Sequence, residues 1–513
     1  RDLVLIDNRY GYETGRSPFI DYILEDKESY KPLSSSICRF TGKPWIDRDN
    51  DFLIGESGGV LMKIDFVFVG TEIFSRVADF YEKHGCYCLE PDDSPNAVKF
   101  WQREMDRRVK GVQAYCKLYI KDIPAYLAAK SDAERKALLH KVRITGDHYN
   151  YLNYGRIERA PNEKERKQLD KEGRFKVNTV EGFPRFWDGD YWNFKIDELI
   201  ANNSCNLCKA KARRKGFSYK RGSQAANTIN ANKNVTVTLA ADQMDYLTEK
   251  GATSYMVKVN LDWYEDKTYW RRGYLSENFD KGIELGYKKS KEGQKAFGFR
   301  SKLLSVAIGK NESAAVGKKA IETDFEEAGK CPNLQKALDV MMSNSESGAM
   351  RIGTIRVYGT GGTKGANWEA FSNCFYNPGK NDMLPMENIW DANSRHAVCG
   401  FFFPQIWDYE PFIEDGNSLL FASWKDDYDK KRGAEKEKDA GEYNIYVGQR
   451  ANSPNEAFTN TQENIFHSPE LTNHINAIKY DKSNHFYEDG WYILDDGRVR
   501  FVTKQECIER DIF

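Results

Sequence analysis

The chain has 513 residues, 40% of them apolar and 30% charged, which is long enough for two to four domains that each bury a core. No apolar run approaches the roughly 18 residues of a membrane span, and clusters such as Phe66 to Val69 and Phe401 to Phe403 have the size of core strands, so a membrane partner is excluded. The formal charge of -1 hides a strongly basic stretch from Lys209 to Arg221 and a mixed one from Asp426 to Glu442, so the overall balance neither demands nor forbids a polyanionic partner.

Residues 1 to about 140 read as an appended, mixed α/β segment. It opens at Arg1 without a methionine or a signal peptide, so further chain is expected upstream. Turn-rich pieces such as Phe52-Leu-Ile-Gly-Glu-Ser-Gly-Gly59 come first. From Ser94 to about Lys121, Val98, Trp101, Met105, Val109 and Val112 recur at helical spacing, and Asp132 to His140 reads as a helix capped by Ser131.

From residue 141 to about 405, short strands and helices alternate, which predicts an α/β core. Asn206 to Ala210 reads as a strand, Phe217 to Ala231 as the helix after a turn, and Val235 to Ala240 as the next strand. Ala320 to Phe325 reads as a weak strand, because Glu322 and Asp324 interrupt the apolar run of a buried strand. Asn333 to Met342 reads as a helix, and Ile352 to Tyr358 as an alternating strand ending in Gly359-Thr360-Gly361-Gly362. From 406 to 513 comes a smaller linking region: a charged helix from Lys425 to Glu442, a short strand from Tyr443 to Val447, and a hairpin turning at Asp496-Gly497.

The ten cysteines follow no disulfide framework, and reduced thiols are expected. Cys205-Asn-Leu-Cys208 has the spacing of half a zinc knuckle but lacks a second pair nearby, so both read as strand residues. His84-Gly-Cys86-Tyr-Cys88 lacks a fourth ligand and reads as packing.

The chemistry is concentrated at three points. A triphosphate site needs backbone N–H groups at a helix N-terminus, a cation on the phosphates and a hydroxyl on magnesium. In Lys211-Ala-Arg-Arg-Lys-Gly-Phe-Ser-Tyr-Lys220, Gly216 lets the backbone come close and Ser218 offers the hydroxyl, but Phe217 stands where a lysine is usual. Lys211, five residues before Gly216, can fold back over the phosphates, with Arg213, Arg214, Lys215 and Tyr219 completing the turn's contacts. About a hundred residues on, Glu326 and Glu327 follow a strand end, where one acid can organise magnesium and the other orient water. The third point is the Gly359 to Gly362 turn, whose Thr360 can sense a γ-phosphate.

The ordered set of that basic turn, Phe-Glu-Glu-Ala-Gly-Lys (325 to 330), Tyr-Gly-Thr-Gly-Gly (358 to 362), Phe-Tyr-Asn-Pro (375 to 378) and Pro-Asn-Glu-Ala-Phe (454 to 458) resembles the large terminase subunit of tailed bacteriophages. Gly-Asp-His-Tyr-Asn-Tyr-Leu-Asn-Tyr (146 to 154) and the helix at 99 to 116 are similar to the extended large terminases of crAss-like phages, and the likeness covers about 95 to 470.

The resemblance implies a P-loop NTPase core, with a central mainly parallel sheet flanked by helices, that hydrolyses ATP with Mg2+ and pumps double-stranded DNA through a portal into a procapsid. It also implies a small terminase subunit as partner, a docked homo-oligomeric ring (a pentamer), and action in the cytoplasm of the infected bacterial host. It assigns phosphates to Lys211, magnesium to Ser218 and Glu326, water to Glu327, coupling to Gly359, Thr360 and Gly361, and adenine to Tyr151, Tyr154 or Trp187. Arg213 or Arg214 would stabilise charge in cis, or an arginine from a neighbouring subunit would do so in trans.

The sequence departs from the family at two points. Glu326 stands where many relatives have aspartate, and the carboxylate cluster of the family's RNase H-like nuclease is not found before Phe513, where Asp495-Asp496-Gly497 reads as a hairpin. The rival readings are a helicase or other DNA translocase, a non-enzymatic capsid or portal-associated protein, and a nuclease-only function, which the missing carboxylate cluster disfavours.

Overall fold

A computed structural model describes residues 31–32, 52–55, 57–62, 66–69, 71–118, 125, 128–137, 139–161, 163–279, 282–289, 295–309, 319–347, 350–351, 353–361, 369–391, 397–436, 440–458, 490–495 and 498–503. Its centre is an eight-stranded sheet. In chain order the strands are β1 (Leu207–Lys211), β2 (Thr236–Ala241), β3 (Tyr274–Asn278), β4 (Gly282–Leu285), β5 (Lys302–Ala307), β6 (Glu322–Phe325), β7 (Thr354–Thr360) and β8 (Phe401–Phe403). Across the sheet they lie β3, β4, β5, β2, β6, β7, β1, β8. The six from β5 to β8 in that order run parallel, and β3 and β4 add an antiparallel edge. Every residue of β1 and β7 is buried, as central parallel strands covered on both faces should be. This is the expected α/β architecture with a mainly parallel sheet.

The helices that matter for the site are α1 (Pro95–Lys110), α2 (Gly146–Tyr154), α3 (Asp188–Asn203), α4 (Phe217–Ala231), α5 (Thr253–Lys267), α6 (Leu334–Asn344), α7 (Glu369–Tyr376) and α8 (Ala440–Gln449). The most unusual is α4, which is buried along most of its length although rich in polar residues. Such burial is tolerable only if each polar group is paired. Asn150 of α2 donates to Ser223 Oγ at 2.9 Å, Gln224 to Asp197 at 3.1 Å and Asn227 to Asp147 at 2.7 Å. Arg108 of α1, fully buried against the Trp270 ring at 3.9 Å, donates to Asn227 and Asn230. Helix α4 is thus locked from three sides.

Several local expectations shift. The helix read from 94 to 121 stops at Lys110, because Gly111 turns the chain at φ +78° and Val112–Leu118 forms a strand; Val109, counted as apolar spacing, is 57% exposed. The helix capped by Ser131 covers Asp132–Ala137, with Glu134 N–H donating to Ser131 Oγ at 3.2 Å, and His140 belongs to the next strand, Leu139–Ile144. Tyr443 to Val447, read as a strand, lies in α8, a ten-residue helix that the five-residue run was too short to reveal.

The turn-rich N-terminal segment pairs Phe52–Ile54 with Val60–Met62, and Val60 pairs in turn with Met386. Gly490–Asp495 and Arg498–Thr503 form the expected hairpin, while its Asp496-Gly497 turn, like Gly362, lies outside the described residues. Cys208 sits within β1 and Cys205 just before it, both buried, and Cys86 and Cys88 are half-buried. Among the described residues no helix is long and apolar enough to cross a membrane.

Candidate nucleotide site

The carboxyl ends of β1, β6 and β7 open onto a cavity of about 1090 Å³, the location where open α/β sheets place their ligands. β1 ends at Lys211, and the chain turns through Ala212 to Lys215 before α4 begins. Gly216 caps α4 at φ +67°, a conformation that favours glycine, and a Cβ there would meet nothing nearer than Lys220 Cε at 3.9 Å. The approach to the first turn of α4, where backbone N–H groups lack helical partners, is therefore clear.

Lys211 pairs in register with Thr360 of β7, so their side chains meet: Lys211 Nζ donates to Thr360 Oγ1 at 2.7 Å and lies 3.6 Å from Glu327 Oε1. Ser218 Oγ donates to Glu326 Oε1 at 2.9 Å, and Thr253, at the start of α5, donates to the other Glu326 oxygen. Burial pushes the Glu326 carboxyl up to about 7, with Glu327 adding to the rise and the Thr253 and Ser218 hydroxyls and Lys211 opposing it. Glu327 takes φ +49°, turning the chain off the end of β6, and Lys330 Nζ lies 4.0 Å from it. Lys211, Ser218, Glu327 and Thr360, singled out in the sequence, thus line one cavity, and the buried Glu326 lies directly behind Ser218, hydrogen-bonded to it.

The rest of the turn divides. Arg213 donates its backbone N–H to the Gln449 carbonyl and its guanidinium to Gln449 Oε1, both at 2.7 Å, which ties the turn to α8. Arg214 is exposed at φ +62°, with no hydrogen-bond or ion-pair partner among the described residues. Lys215 lines the cavity, but its ammonium donates to the Gln405 and Trp407 carbonyls at 2.6 Å each, and burial lowers its pKa to about 7. Phe217 points inward. Its ring packs on Phe403, and the ammonium groups of Lys220, Lys211 and Lys209 lie 5.3, 5.6 and 5.8 Å from its centroid. Tyr219 lines the cavity, and burial raises its phenol.

Of the adenine candidates, Tyr151 and Trp187 line the cavity. Tyr154 does not: it is fully buried against Tyr87 and Trp270, and its hydroxyl donates to Glu104 at 3.1 Å. Two further contributors escaped sequence reasoning. Thr253 carries no motif around it, and the buried Lys220, paired with Asp190 and 3.6 Å from Asp408, joins residues more than 200 positions apart.

The residues fit a magnesium nucleotide. A buried carboxylate steadied by two hydroxyls is an oxygen donor set in need of a cation, and the open helix N-terminus with Lys211 and exposed Arg214 suits an anion. Among the described residues no group of three or more His, Cys, Asp or Glu could hold a metal, but magnesium held with a nucleotide needs only one or two carboxylates.

No family model matches the chain, and no curated protein does. Among solved structures it is similar to the large terminase ATPase domain of Thermus phage P74-26, at 10% identity over 57% of this chain and 99% of that one, with a TM-score of 0.31. It is similar to the bacteriophage HK97 large terminase at 14% identity over 53% and 51%, with a TM-score of 0.31. A third likeness is to the large terminase of a thermophilic bacteriophage in complex with ADP, at 8% identity over 47% of each chain, with a TM-score of 0.26. This chain spans about half the length of the last two. Likeness at this level transfers no residue roles.

Proposed function

We propose that the chain is the ATP-hydrolysing motor of a terminase-like machine that drives double-stranded viral DNA through a portal into a procapsid. The observation that carries the ATPase reading is the meeting of Ser218 with Glu326, and of Lys211 with Thr360 and Glu327, beside the open N-terminus of α4. When bound, ATP with its magnesium ion supplies the phosphoryl group that passes to water.

Lys211 and the first turn of α4 hold the phosphates, with Arg213 and Arg214 adding positive charge. Ser218 and Glu326 hold the metal. Glu327 orients and polarises the attacking water, and Thr360 senses the phosphate through Lys211. Tyr151 and Trp187 offer aromatic wall to the base. Lys211 lies 3.6 Å from Glu327, so the cation assigned to the phosphates stands beside the acid assigned to the water.

Coupling to DNA, the portal, the small subunit, a homo-oligomeric ring and the cytoplasm of an infected bacterial cell belong to the proposal through the ordered motifs. The deciding experiment measures ATP hydrolysis by the chain alone, with linear double-stranded DNA, and with DNA plus procapsid. Stimulation that requires the procapsid supports a packaging motor. Stimulation by DNA alone favours a general translocase, and absence of nucleotide binding favours a structural role.

A further inference from the structure

Beneath the site lies a second tier of charge. On β1, Lys209 is two residues below Lys211 and shares its face; on β6, Asp324 and Glu322 share the face of Glu326; on β7, Arg356 shares that of Thr360. On α4, Arg221 is one turn below Ser218. The elements that carry or lead into Lys211, Ser218, Glu326 and Thr360 therefore each carry a member of this lower tier, and α3 supplies one more, Asp197.

The six are mutually paired. Lys209 Nζ lies 2.7 Å from Asp197, and Arg356 Nε donates to Asp197 at 3.1 Å. Arg221 forks onto Asp324 at 2.6 Å and onto Glu322, and Arg356 lies 3.5 Å from Glu322 and 3.7 Å from Asp324. Three cations balance three carboxylates, and all the side chains are at most 5% exposed except Glu322, at 16%.

Buried ion pairs are poor sources of stability, since well-packed apolar side chains of the same volume often serve as well; what they can provide is a single register. Apolar residues would allow β6 to slide or α4 to rotate at little cost. Here each such displacement would separate Arg221 from two carboxylates at once. The chain also places these charges on the very strand where a continuous apolar run is normal.

We infer that this six-charge tier is the positioning layer of the nucleotide site, fixing through the backbones of β1, β6, β7 and α4 the register in which Ser218 meets Glu326 and Lys211 meets Thr360. The inference rests on the ATPase reading above. Arg221 is its key residue, a positioning residue that touches neither the cavity nor its contents.

The test compares the full chain with Arg221→Met, Arg221→Lys, and Arg221→Met combined with Asp324→Asn, which keeps the tier neutral and guards against simple misfolding. The readouts are kcat and KM for ATP, the magnesium concentration for half-maximal rate, the magnesium-dependent tightening of a fluorescent ATP analogue, and thermal unfolding. Arg221→Met should lower kcat per nucleotide-binding site on the order of a hundredfold, as small misplacements can. KM should stay near parental, the magnesium requirement should rise, and the analogue should lose its magnesium-dependent tightening. Arg221→Lys should recover part of each, and the neutral pair should fold yet remain slow.

A neutral pair that is folded, with parental kcat and magnesium response, overturns the inference alone. So does an Arg221→Met whose only defect is thermal. A parent chain that binds no ATP analogue, with or without magnesium, overturns the ATPase reading and this inference with it.

Discussion

At the scale of single residues, the site depends on a lysine in an unusual place and a phenylalanine in the usual one. Phe217 forms the floor of the turn, and three ammonium groups already surround its ring. Phe217→Lys, which would restore the common phosphate-loop pattern in the sequence, should therefore bury a fourth cation without a partner. It should cost about 3 to 5 kcal/mol of stability, read from denaturant midpoints, and should raise no activity. Lys211→Ala should weaken ATP-analogue binding and slow turnover. Glu327→Gln should leave binding intact, or tighten it as Lys211 loses its competing acid, while turnover falls by about a hundredfold, near 3 kcal/mol in the transition state. Parental turnover in both variants would remove these residues from the mechanism. Lys211, Ser218, Glu326 and Glu327 were legible because each is a chemically distinctive side chain at the end of a recognisable element. Thr253 was not, because a threonine opening a helix looks like any other until the fold carries it to Glu326.

Among elements, the least convincing strand in the sequence became the most informative. β6 looked weak because Glu322 and Asp324 break its apolar run, and periodicity alone cannot say that Arg221 and Arg356 await them from a helix and a neighbouring strand. The strand at 443 to 447 failed for a different reason: the run is too short for its pattern to tell strand from helix, and it lies inside the ten-residue α8. The junction of β7 with the chain near residue 457 is tight, since a Cβ on Gly361 would lie 1.9 Å from the Ala457 carbonyl oxygen. Gly361→Ala should cost about 1 to 3 kcal/mol by overpacking, visible as a lower unfolding midpoint. Asp188, at the start of α3, accepts from the Ser418 hydroxyl at 2.6 Å and its N–H at 3.0 Å, yet burial, with Asp408 adding to it, pushes the carboxyl up from 3.8 to about 7. Because the folded pKa lies above the unfolded one, the folded state keeps this proton longer. Its contribution to stability is full below about pH 4 and is lost as pH rises through about 7. Asp188→Asn should flatten this part of the stability profile, so that urea midpoints of variant and parent converge at low pH and separate toward pH 7 and above in the variant's favour.

For the whole molecule, the proposed motor reading requires a near-neutral chain to grip DNA through local basic surface and phosphate contacts, so on that proposal DNA binding should fall steeply with salt and be indifferent to sequence. Filter-binding at several salt concentrations on two unrelated duplexes checks this, and a flat salt response would count against a DNA-tracking motor. The pairing of Arg213 with Gln449 has a consequence for where the protein can be cut. Lys211, Ser218, Glu326, Glu327 and Thr360 all lie before residue 361, which invites the view that the candidate site could be released by cleaving near residue 405. Yet the turn that begins at Lys211 has its backbone fastened to Gln449, Gln405 donates to the Ala451 carbonyl, and Arg432 holds Glu456 and the Arg450 carbonyl in a buried cluster. A fragment ending at 405 would keep the basic turn, the Glu326-Glu327 pair and Thr360 but lose the clasp that shapes the turn. Its separability is then a matter of degree: such a fragment should retain the sheet but bind nucleotide poorly, and supplying residues 406 to 458 as a separate chain should restore binding.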